Sequence, residues 1–104
     1  MPEDKKDSRL RTRHELKFPE MYVVIMHNDD FTPMDFVVML LKTVFTKPSE
    51  EAVQLMMTVH KKGQATIGEY TYDIAQSKSQ KAMRMAREAG YPFKLTIENR
   101  GLPF

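Results

Sequence analysis

The 104-residue sequence contains no cysteine and no tryptophan. Without cysteine there is no disulfide framework, no thiolate metal site and no cysteine nucleophile. Glycine is scarce, with four in the chain, too few for a glycine-rich phosphate loop or a nucleotide fingerprint. Neither H-E-x-x-H nor G-x-S-x-G occurs. No apolar run approaches the roughly 18 to 20 residues that span a bilayer, and the charged start lacks the apolar stretch of a secretory signal. A cytoplasmic protein without a membrane partner is the default expectation. One ordinary domain fits the length, and 41% hydrophobic with 29% charged residues is average globular usage.

An excess of one charge is also missing from most of the chain. Residues 1–17 hold six Lys and Arg against four Asp and Glu, leaving ten of each sign in residues 18–104. With no basic stripe, the electrostatic term that dominates nucleic-acid affinity is absent, so no nucleic-acid partner is expected.

Residues 1–17 carry almost nothing apolar beyond Leu10 and Leu16 and read as a flexible arm. Phe18-Pro19 marks the boundary of a domain expected over 18–98, followed by a tail over 99–104. Met21 to Met26 is apolar on both alternations and rich in β-branched residues, the pattern of a central strand. His27-Asn28-Asp29-Asp30 ends it as a polar loop. Thr32, Pro33 and Asp35 signal a helix start with Thr32 as cap and Pro33 in the first turn. Met34, Val37, Val38 and Leu41, widened by Phe36, Leu40, Val44 and Phe45, predict a largely buried helix.

A second helix begins at Pro48-Ser49-Glu50-Glu51 and closes at Lys61-Lys62-Gly63, with Ala52, Leu55, Met56 and Val59 inward. Gln64 to Tyr70 predicts a strand interrupted by Gly68. A third helix opens at Thr71-Tyr72-Asp73 and ends before Gly90 and Pro92, with a thin stripe of Ala75, Ala82, Met85, Ala86 and Ala89. Phe93 to Glu98 alternates as a last strand. The order βααβαβ gives an α+β domain with helices on one face of a small sheet.

Val59, Met56 and His60 fall within one 100° arc of the second helix, and Met34 and Val37 share a face of the first. If these faces converge behind the loop, they enclose an apolar pocket rimmed by Asn28, Asp29 or Asp30, and His60. Met and Val at helical spacing are more often plain core than pocket lining, and Asn-Asp-Asp before a capped helix is on pattern alone a simple turn. A metal site from His27, Asp29, Asp30 and His60 is a third reading, since imidazole and carboxylate suit transition metals.

The stretches MYVVIMHNDDFTPMDFV, from Met21 to Val37, and QLMMTVHKKGQA, from Gln54 to Ala65, closely resemble the ClpS family of adaptors for the ClpAP protease. The resemblance runs from about Phe18 to Glu98. It implies a small α/β sandwich, a three-stranded antiparallel sheet with three helices, that binds without catalysis and without a cofactor. It implies recognition of N-degrons, free N-terminal Phe, Tyr, Trp or Leu. Asn28, Asp30 and His60 would take the α-amino group and Asp29 would lie near the substrate backbone. Thr32, Met34, Val37, Met56, Val59 and Phe93 would surround the side chain. A second surface at Thr71–Lys78, with Tyr72, Asp73 and Lys78, would dock on the N-terminal domain of the ATPase ClpA.

This chain departs from the family pattern at His27, usually aliphatic, at Phe31 in place of Tyr, and at Phe93 where Leu is commoner. Gln76 also lacks a charge that the family carries. The rival readings are a docking domain of the same ATPase without a working pocket, and the His/Asp metal enzyme. Nothing in the sequence demands more than a monomer.

Overall fold

The computed structural model describes residues 19–101, so the arm read over 1–17, with Phe18 and residues 102–104, lies outside the described residues. Six elements follow one another: β1 (Met21–His27), α1 (Met34–Thr43), α2 (Ser49–Lys62), β2 (Gln64–Tyr70), α3 (Tyr72–Glu88) and β3 (Lys94–Gly101). The sheet order is β2-β1-β3, with β1 central and antiparallel to both neighbours. This is the expected α+β arrangement, βααβαβ with a three-stranded antiparallel sheet. No helix among the described residues is long and apolar enough to cross a membrane.

A central strand has no solvated edge, and β1 accordingly buries Val23, Val24, Ile25 and Met26. Val24 and Met26 join Ala65, Ile67 and Leu95 in the core, against Leu40 and Leu41 of α1, Ala52 and Val59 of α2, and Ala75, Ala82 and Ala86 of α3. The small residues of α3 let the helix backbone approach the sheet closely. Ser79 completes that stripe, fully buried with an unpartnered hydroxyl.

The break expected at Gly68 is a β-bulge. Val24 faces Gly68 but Ile25 faces Thr66, so Ile67 is the extra residue of β2. A second irregularity makes Arg100 extra between Asn99 and Gly101 of β3. From there the Arg100 guanidinium reaches Glu69 on β2 at 3.4 Å, an exposed pair contributing little stability by itself.

Four details correct the sequence reading. Asn99, Arg100 and Gly101 are not tail: they continue β3, because β1 starts early enough for Tyr22 to pair with Asn99 and Met21 with Gly101. Phe93 precedes β3 instead of opening it. Pro33, with ψ of 145°, is the extended cap of α1, and Met34 is the first helical residue, since Thr32 is drawn into a turn with Asp29. Ala89 is exposed beyond the end of α3, where the chain turns at Gly90.

Candidate binding site

The loop that leaves β1 is fixed at its start and middle by the chain itself. The Asn28 amide donates to the carbonyl of Gly63 at 2.9 Å. Gly63 closes α2 with φ of 89°, a left-handed conformation that a side chain would strain. This bond fastens the loop to the end of the helix that carries His60. One residue on, the Asp29 carboxylate folds back on its own loop. Its Oδ1 accepts from the amides of Phe31 (2.8 Å) and Thr32 (2.7 Å), and its Oδ2 accepts from the Thr32 hydroxyl at 2.9 Å. Side-chain acceptance from amides two and three residues ahead is the turn-forming habit of Asp.

Burial alone would raise the Asp29 pKa. The amides of Thr32 and Phe31, the Thr32 hydroxyl and the positive charge of Arg87 outweigh burial and hold it below the ordinary carboxylate value. Because the folded value is depressed, Asp29 stabilises the loop fully above the ordinary carboxylate range, and that stabilisation is lost as pH falls through the folded value. The amide resonances of Phe31 and Thr32 should therefore stay constant down to about pH 4 and shift together below it. Asp29→Asn should abolish the acid-dependent shift. Movement of those resonances near neutrality would contradict the assignment.

The opposite wall is set by Phe93, 1% exposed and the largest fully buried side chain among the described residues. Arg87, near the end of α3, donates from one guanidinium nitrogen to the carbonyls of Tyr91 and Phe93, both at 2.8 Å. Phe36 of α1 meets the Tyr91 ring edge-on at 4.9 Å, packing α1 against the same segment.

Between these walls lies a cavity of about 180 Å³. Asn28, Asp29, Asp30, Thr32, Met34, Val37, Met56, Val59, His60 and Phe93, all ten residues singled out in the sequence, line it. The helix faces of Met34–Val37 and Met56–Val59–His60 thus converge behind the loop. Val37, Val59 and Phe93 are buried, Met56 is half-buried, and Met34 stands at the mouth with 44% exposure. The exposed rim carries Asn28, Asp30 and His60. Among the described residues no intramolecular hydrogen bond engages their side chains, in contrast to Asp29.

Met26 and His27 also line the cavity, although the sequence reading placed neither there. Inward parity with Val24 on β1 was the available signal for Met26. Arg87 and Gly63, which hold the walls, gave no signal beyond helix-end residues. The metal grouping does not assemble: among the described residues no three His, Asp or Glu side chains gather to hold an ion. His27 Nε2 instead lies 2.7 Å from Thr96 Oγ1, and both Asp29 oxygens are engaged.

On α3, Tyr72 and Asp73 are exposed in the first turn. Lys78 is turned inward. Its Nζ donates to the Val44 carbonyl at the end of α1 (2.9 Å) and lies 5.9 Å from the centre of the Tyr70 ring. A cation at a helix C-terminus complements the helix dipole, so Lys78 joins α3 to α1.

Fold and site together define a small α+β domain with an apolar cavity whose solvent-facing rim presents hydrogen-bond acceptors. The sequence matches the family described as ATP-dependent Clp protease adaptor protein ClpS over residues 17–96. Relatives named ATP-dependent Clp protease adapter protein ClpS, from Burkholderia thailandensis and Burkholderia cenocepacia, are 46% and 45% identical over 97 residues, covering 91% of this chain and 93% of theirs. The structure of Agrobacterium tumefaciens ClpS2 bound to L-phenylalaninamide superposes with a TM-score of 0.76 at 38% identity, over 79% of this chain and 99% of that one. The chain belongs to the ClpS family of Clp protease adaptors.

Proposed function

We propose that this chain captures proteins by a bulky hydrophobic N-terminal residue, an N-degron of the Phe, Tyr, Trp or Leu type, and presents them to the unfoldase ClpA without catalysing a reaction. The observation that carries this is the division of labour around the cavity. The side chains of Asn28, Asp30 and His60 engage no hydrogen-bond partner among the described residues, while the wall behind them is apolar. An α-ammonium brings three donors and a positive charge, which matches an amide oxygen, a carboxylate and a neutral imidazole nitrogen. Dry cavities of roughly 150 Å³ admit benzene, so a hollow of about 180 Å³ has room for a benzyl side chain. L-phenylalaninamide, bound by the structural relative, carries both of these groups, a free α-amine and a benzyl side chain, beside its carboxamide.

Asn28, Asp30 and His60 hold the amine in this reading. Met34, Val37, Met56, Val59 and Phe93 enclose the side chain, with Thr32 between wall and rim. Asp29 serves by shaping the loop, since both its oxygens are already engaged. An internal peptide offers no ammonium, so entering the pocket would desolvate Asp30 and His60 without compensation, and discrimination originates there. Docking on the N-terminal domain of ClpA is assigned to the exposed start of α3, Tyr72 and Asp73, with Lys78 bracing the helix. The adaptor acts as a cytoplasmic monomer.

Fluorescence anisotropy with a Phe-initiated peptide and its N-acetylated twin tests the proposal. Binding of the free-amine peptide in the micromolar range or tighter is expected, with acetylation weakening it at least about 30-fold through loss of charge-assisted bonds. Equal binding of the two peptides, or binding of neither, would overturn it.

A further inference from the structure

Nine methionines in 104 residues is a high count, and their burial separates them sharply. Met26 is fully buried, Met56 half-buried, and only Met34 at 44% and Met57 at 36% are exposed among the described residues. Met34 alone combines that exposure with a place in the cavity wall, since Met57 does not line it. We propose that Met34 is an oxidation site through which peroxide lowers the affinity of the cavity for its hydrophobic ligand. This rests on the reading of the cavity as the receptor for a terminal side chain.

The chemistry needs no group beyond the oxidant. A lone pair of the Met34 sulfur attacks one oxygen of hydrogen peroxide, the O–O bond breaks, a sulfoxide forms and water leaves. Sulfur is oxidised by two electrons and the peroxide is reduced. The product exchanges a flexible apolar side chain for a polar one with a strong acceptor oxygen. At the mouth that oxygen remains hydrated when the cavity is vacant, so the fold tolerates it. An entering benzyl or isobutyl group would have to strip that water and offers no donor in its place. The first residue of α1 stands outside the core, and the buried Val37, Leu40 and Leu41 further along the helix anchor α1.

The experiment treats the full chain with dilute hydrogen peroxide, follows oxidation at each methionine by peptide mass spectrometry, and measures anisotropy of a Phe-initiated peptide at each time point. Affinity should fall about tenfold in step with Met34 oxidation, with an unchanged melting temperature. Each variant is compared with its own untreated affinity: peroxide should weaken Met57→Leu by the same factor as the parent, and Met34→Leu, whose wall stays apolar, far less. Methionine sulfoxide reductases of both stereospecificities, with their thiol reductant, should restore binding to the treated parent. Complete Met34 oxidation with unchanged affinity would overturn the inference, as would equal loss in Met34→Leu. Failure of the untreated protein to bind the peptide is a different result, and would refute the receptor reading together with the inference.

Discussion

Asp30→Ala is expected to weaken capture of a Phe-initiated peptide by about 30- to 150-fold, the equivalent of 2 to 3 kcal/mol, because a charge-assisted hydrogen bond to a desolvated ammonium is lost. The fold should be indifferent. Asp30 is exposed at the rim, its side chain engages no hydrogen bond among the described residues, and surface substitutions of that kind stay within about 0.5 kcal/mol. Paired titrations sharpen the result. If Asp30 holds the α-amine, acetylating the peptide should cost the Asp30→Ala variant far less than it costs the parent, because the two changes remove the same interaction. Additive losses would mean that the carboxylate acts elsewhere, and undiminished binding by the variant would remove it from recognition altogether.

Phe93→Ala should be among the most damaging truncations in the domain. The ring is almost wholly buried, belongs to the core and forms one wall of the cavity. Truncation of a buried Phe costs about 3 to 5 kcal/mol, a large share of the 5 to 15 kcal/mol that keeps a typical domain folded. A fall of at least about 12 °C in melting temperature follows for a chain of this size. Denaturant unfolding with and without a Phe-initiated peptide measures both consequences, since the wall is lost with the core. A cost below about 1 kcal/mol would show that the segment collapses into the space and that the ring is not a structural wall. Phe93→Leu should retain most of the stability while widening the cavity.

The parts of this fold that follow from local chemistry are the parts that sequence conveys well. β1 announces itself because a central strand must be apolar on both alternations, and Gly63 marks the end of α2 because the left-handed cap needs it. Gly68 sits at the bulge for a related reason, as the neighbour of the extra residue. The pocket residues were legible in part through helical arcs, Met34 with Val37 and Met56 with Val59 and His60. The convergence of those arcs was not, because it depends on how α1 and α2 pack. Long-range pairings were likewise invisible. Asn99 to Gly101 look like a polar tail until Tyr22 and Met21 supply partners. Lys78 reads as an outward charge until the Val44 carbonyl comes within reach, 34 residues away in the chain. Asp29 could not be told from Asp30 by composition: two identical carboxylates in sequence, one folded into the turn and the other facing solvent.

The last helix touches both halves of the proposed activity. Asp73 lies in its first turn and Arg87, which fastens the Phe93 segment, in its last. Fourteen residues at 1.5 Å each put about 21 Å between them along one rigid rod. In the proposed reading, cargo and berth would sit at opposite ends of a single beam, and a bulky passenger hanging from the mouth of the cavity would leave the mooring clear.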